Sequence, residues 1–118
     1  MNMNNVKFNL KMKLQRLNKG YCDLDVWNIN TFIEEKLVAI LKEYKKTSMG
    51  HPTGINQEEW DKIIDRMIFL LTEMNEDTCS FKYEEDNLVN YNKKAKYRNK
   101  CKNEFYDLLK KWHWELWD

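Results

Sequence analysis

Apolar residues recur at offsets of three and four along three long stretches, the spacing of helices that bury one face. The first stretch carries Ile29, Phe32, Ile33, Leu37, Ile40, Leu41 and Tyr44. Asn28 or Asn30 can cap its start, and Thr31 with Glu34 offers a capping box, because a side-chain oxygen there accepts an otherwise unpaired N–H. Gly50 and Pro52 require it to end. These signals predict a helix over residues 29–46 and a turn over 48–54. Asn56 and Glu59 then cap a second helix, predicted over 57–75, whose stripe is Trp60, Ile63, Ile64, Met67, Ile68, Leu71 and Met74. After a polar connector at 76–85, a third stripe passes Leu88, Tyr91, Ala95, Cys101, Phe105, Leu108, Trp112 and Leu116, interrupted by Arg98. It predicts one long helix from about residue 86.

The beginning of the chain is ambiguous. Val6, Phe8, Leu10, Met12 and Leu14 alternate with polar residues, which is strand spacing, whereas Leu10, Leu14 and Leu17 also satisfy helical spacing. A lone strand has no partner within the chain, so a helix is favoured for the later part and a strand would have to be swapped between protomers. The expected architecture is all-α: an antiparallel helical hairpin plus a long C-terminal helix, forming one small bundle over residues 1–118.

Composition narrows the class. With 118 residues, 42% hydrophobic and 14% aromatic, the chain suits one globular domain and not a disordered segment. Its longest apolar runs, five residues each, are far short of the ~18 that a membrane span requires. No secretory signal is evident at the N-terminus, and three widely spaced cysteines, Cys22, Cys79 and Cys101, suit reduced thiols. A cytoplasmic protein is expected. The net charge of +1 conceals segregation: residues 1–20 hold five basic residues and no acid, 21–90 are acidic, and 91–118 are basic again. Either the ends fold back on an acidic middle or they converge on an anion-binding surface.

Chemistry-bearing patterns are sparse. No Cys or His pair has zinc-ligand spacing. Asp23 and Asp25 have a spacing that could hold magnesium, but acids ahead of a helix more often cap it. No cysteine has the local signature of a nucleophile, and the acids Glu58, Glu59, Asp61 and Asp65 alternate with Lys62 and Arg66 as on a solvated face. No cofactor and no catalytic residue is expected. The run from Lys93 to Lys102 has no acid, and Lys94, Arg98 and Lys102 would form a row able to meet phosphate, with Tyr91 and Tyr97 nearby to stack. A near-zero net charge disfavours long nucleic acid. Trp112, Trp114 and Trp117 cannot share one face of a helix, so Trp114 and Trp117 point to an oligomer or partner surface.

Gly20-Tyr21, Asp23-x-Asp25-x-Trp27, Gly50-His51-Pro52, Trp60-Asp61-x-Ile63-Ile64-Asp65-x-Met67 and a closing Leu116-Trp117-Asp118 resemble a family of small tailed-bacteriophage proteins. That family is similar to anti-CBASS sponge proteins, which sequester cyclic dinucleotides without cleaving them. The resemblance implies a counter-defence protein acting in the cytoplasm of a bacterial host, with a cyclic oligonucleotide as partner, and the surplus tryptophans Trp114 and Trp117 add the expectation of a homo-oligomer. The alternative is a protein-interaction module that inhibits a host enzyme. For a nucleotide ligand, Tyr21, Trp27 and Tyr97 are the aromatic candidates to stack on bases. Arg16, His51, Arg66 and Arg98 are candidates to meet phosphates.

Overall fold

A computed structural model describes residues 2–117; Met1 and the closing Asp118 of the resemblance lie outside the described residues. Every regular element among them is helical: α1 (Met3–Lys19), α2 (Asp23–Trp27), α3 (Ile29–Thr47), α4 (Gln57–Met74), α5 (Leu88–Trp112) and a closing 3₁₀ turn, His113–Glu115. The chain divides into two compact units, Met1–Ile33 and Glu34–Asp118.

In the first unit the N-terminal segment is a helix and not a strand. Asn2 accepts the Asn4 N–H at its start, and Gly20, at φ +84°, closes it in the left-handed conformation that glycine adopts without strain. Only Met12 of the alternating apolar set is buried, so the period of two reflects two helical faces. The short helix α2 was not legible in the apolar spacing. The Asp25 carboxylate caps it by accepting the Cys22 N–H at 2.8 Å, while Asp23 takes a bond from Gln15 at 3.0 Å. Asp25 thus caps α2, and Asp23 ties α2 to the side of α1. Asn28 takes the N-cap position of α3, its carbonyl accepting from Phe32 N–H, whereas Asn30, Thr31 and Glu34 lie inside the helix.

The second unit is a helical bundle whose core is Leu41, Trp60, Ile64, Met67, Leu70, Leu71, Met74, Cys101 and Phe105. Helix α4 supplies most of it, and Asn56 caps that helix as the sequence predicts, accepting Glu59 N–H at 2.8 Å. Helices α3 and α4 run antiparallel: Tyr44, late in α3, takes a bond from Trp60 in the first turn of α4, whereas Glu34 faces Asp77 beyond its end. Helix α5 returns along α4, with Trp60 packed edge-on to Trp112 at 5.4 Å and Glu73 bonded to Tyr97.

Two predicted stripes are narrower than their spacing suggests. Ile29 and Ile40 of α3 are exposed, as are Leu88, Tyr91 and Ala95 of α5. The start of α5 turns polar chemistry inward instead. The Arg98 Nε–H donates to the Met74 carbonyl at 2.9 Å, satisfying one of the orphan carbonyls at the end of α4. The Tyr97 hydroxyl donates to Glu73 at 2.6 Å, and Glu73, 2% exposed, also accepts the Ser80 N–H and hydroxyl.

Candidate functional site

The loop between α3 and α4 meets the end of the chain in a cleft of about 200 Å³ lined by Tyr44, Gly50, His51, Pro52, Thr53, Glu115 and Trp117. Local structure fixes both walls. Ser48 N–H bonds the Tyr44 carbonyl as α3 ends; Pro52 is buried and Ile55 packs on the core, pinning the loop at two points. The His51 ring Nδ1 lies 3.1 Å from the Pro52 carbonyl oxygen. Because that oxygen can only accept, Nδ1 carries the proton in this contact.

The other wall begins where α5 tightens into its 3₁₀ turn. Leu116 packs against the core, which anchors the tail and leaves Trp117 72% exposed beside the loop. A chain of bonds links the walls to the core: Trp60 Nε1–H donates to the Tyr44 hydroxyl at 3.2 Å, and that hydroxyl donates to the Trp117 carbonyl at 3.3 Å. Segments separated by some 60 residues in sequence, Gly50-His51-Pro52 and Leu116-Trp117, thus share one place together with Trp60 behind them. Among the described residues, the Glu115 carboxylate has no ion-pair partner. The lining therefore combines three aromatic rings with one unneutralised acid, a composition that suits an organic cation.

The sequence-predicted residues are distributed over several places. Arg16 lies in the first unit, 3.4 Å from Asp25; Tyr21 and Trp27, also in that unit, are both exposed. Tyr21 borders a shallow apolar groove with Gly20, Asp25, Val26, Ile29 and Phe32. In the second unit, Arg66 grips Glu104 with two bonds of 2.6 and 2.8 Å, and this pairing holds the Glu104 carboxyl below its ordinary range. Tyr97 and Arg98 precede Trp112 in α5 by 15 and 14 residues; at 1.5 Å per residue the interval is roughly 20 Å. His51 and Trp117 are consequently brought together, while Tyr97 and Arg98 belong to the opposite end of the bundle.

Packing also redefines the basic row. Of the predicted row, Lys94 and Arg98 are half-buried and Lys102 is exposed, while the exposed Lys93, Lys96 and Lys100 border, with Tyr97, Asn99 and Asn103, a wide hollow of about 560 Å³. Helical geometry carried the signal: once Cys101 and Phe105 define the inward face, 93, 96 and 100 fall away from it. Tyr44, Thr53 and Glu115 of the cleft had no comparable signal, since their roles depend on which loop the tail meets.

Burial sets the remaining electrostatics. It pushes the Glu34 carboxyl above its usual range against the pull of Arg98. It acts in the same direction on Glu73, but the bonds from Ser80 and Tyr97 outweigh it and leave that carboxyl below the usual range. The bond to Glu73 raises the Tyr97 hydroxyl well above the ordinary tyrosine value. The three cysteines are free and buried, and no group of His, Cys, Asp and Glu among the described residues could hold a metal ion. No described helix is long and apolar enough to cross a membrane.

No family model, curated protein or solved structure matches the chain.

Proposed function

We propose that this protein acts by binding and not by catalysis, as an interaction module that seats a lysine or arginine side chain of a protein partner in the cleft between residues 50–53 and Trp117. The observation that carries the reading is the convergence of Tyr44, His51, Trp117 and the unpaired Glu115 in one small cleft. A cation over an aromatic face gains roughly 0.5–2 kcal/mol, more as it is desolvated, and Glu115 adds direction. Trp114, 84% exposed on the adjoining 3₁₀ turn, supplies apolar area beside the anchor of the kind that dominates interface energetics. Selection of a random peptide library on the immobilised protein tests this. Enriched peptides should share a fixed Lys or Arg and lose binding to Trp117→Ala and Glu115→Gln; enrichment without a basic position refutes it.

The hollow beside Lys93, Lys96 and Lys100 favours a second reading, sequestration of a cyclic nucleotide signal in the cytoplasm of a bacterial host, as the phage resemblance implies. Lys93, Lys96 and Lys100, the last also drawn to the Glu104 carboxylate, and the amides of Asn99 and Asn103 form a face suited to phosphate oxygens. Calorimetry with a panel of cyclic dinucleotides and trinucleotides decides it, with the ligand recovered intact afterwards. Absence of any Kd below about 100 μM, near −5.5 kcal/mol, rejects the reading. Trp114 and Trp117 also support association between copies of the chain; light scattering that finds only a 14.5 kDa species rejects that.

A further inference from the structure

Helix α1 has two apolar faces, and Met12 is the one apolar side chain of either that is buried. Phe8, Met12 and Gln15 share one side, together with Lys11, Arg16 and Lys19. Met12 is buried there, Gln15 bonds Asp23, Lys11 and Arg16 pair with Asp23 and Asp25, and Lys19 lies over the Tyr21 ring. On the other side stand Met3, Val6, Leu10, Leu14 and Leu17, all exposed, with Leu17 at 81%. Their offsets of three, four, four and three place them within about 80° of the helix circumference at 100° per residue. Five large apolar side chains in one seam over four turns exceed what scattered surface hydrophobes explain.

From this seam and its borders we infer that α1 docks an acidic amphipathic helix of another protein. Lys7 and Lys13 flank the seam on opposite sides, each about 60° from its centre, and no acid occurs in α1. A partner helix laid along the seam would bring its own flanking positions against these two lysines, where Asp or Glu is attracted and Lys or Arg repelled. The same charges disfavour a second copy of α1 as occupant, because pairing would set lysine against lysine. The narrow seam, without Trp or Phe, fits a helix groove better than a bilayer, which favours a broad apolar face with aromatic anchors. This surface lies in the first unit and does not involve the cleft at Trp117.

The test uses the full chain and two designed 18-residue helical peptides with the same leucine seam, one flanked by glutamates and one by lysines. Fluorescence anisotropy should show the glutamate peptide binding at least tenfold more tightly. Lys7→Glu with Lys13→Glu should reverse that preference, and because both lysines are exposed the change leaves circular dichroism unaltered. Leu10→Asp should abolish binding of both peptides, while Trp117→Ala should leave it unchanged. Equal binding of the two peptides, no binding of the glutamate peptide at 100 μM, or partition onto phosphatidylserine vesicles without peptide binding would each overturn the inference.

Discussion

Removing one oxygen atom from Tyr97 separates a structural role for that residue from a ligand-stacking one. In Tyr97→Phe the ring remains, but Glu73 loses the hydroxyl donor at 2.6 Å. Glu73 is 2% exposed, so water cannot replace the lost bond without entering the core. A hydrogen bond to a buried charged group contributes about 1.5–3 kcal/mol, and the two donors retained from Ser80 place the expected loss toward the lower half of that range. With a urea dependence of roughly 1–3 kcal/mol per molar, the unfolding midpoint should fall by around 1 M. The effect also has a pH signature. Glu73 has a depressed carboxyl pKa in the folded state, so its contribution is complete above the ordinary carboxylate range and disappears as pH falls through the depressed value. Wild type and variant should therefore differ most at neutral pH and converge in acid. A loss below about 0.5 kcal/mol at pH 7, within the scatter of surface substitutions, or a difference that persists unchanged in acid, refutes this account of the residue.

Further outcomes follow from the same contacts. Ile64→Ala should cost about 2–5 kcal/mol, the range for emptying a buried aliphatic site, because Ile64 is 1% exposed at the centre of the core; chemical denaturation measures it, and a loss under 1 kcal/mol refutes that packing. Asn56→Ala should cost about 1 kcal/mol through the lost N-cap of α4, while Asn56→Asp restores it. Glu34 has a raised carboxyl pKa, so ionisation works against folding: Glu34→Gln should be more stable than the wild type at pH 8. That gain should vanish as pH drops below the carboxylate range, and a variant less stable at every pH contradicts the sign.

The long helices are legible because apolar spacing and strong N-caps act locally. Asn56 and the stripe from Trp60 to Met74 place α4 within a residue of its observed end. The start of α5 is different. Its apolar spacing through Leu88, Tyr91 and Ala95 competes with two polar contacts, Tyr97 to Glu73 and Arg98 to Met74, whose partners are 24 residues away. Long-range hydrogen bonds leave no periodic trace, so apolar spacing does not locate the inward face there. The same limit applies to the arginines. Their charge is visible in sequence, but the pairing of Arg66 with Glu104 depends on the register between α4 and α5. At the cleft, His51 and Trp117 stood out individually; their meeting required Leu116 to anchor the tail on the core.

The central claim is that the cleft selects a cationic side chain. Its most direct test is a titration of ¹⁵N-labelled protein with N-acetyl-lysine methylamide and, separately, the neutral norleucine analogue, following backbone amide shifts. The lysine compound should move the amides of Gly50, His51, Thr53, Glu115 and Trp117 and bind at least fivefold more tightly than norleucine, a preference that Glu115→Gln removes. Equal affinity for the two compounds, or shifts confined to residues outside the cleft, would contradict the account.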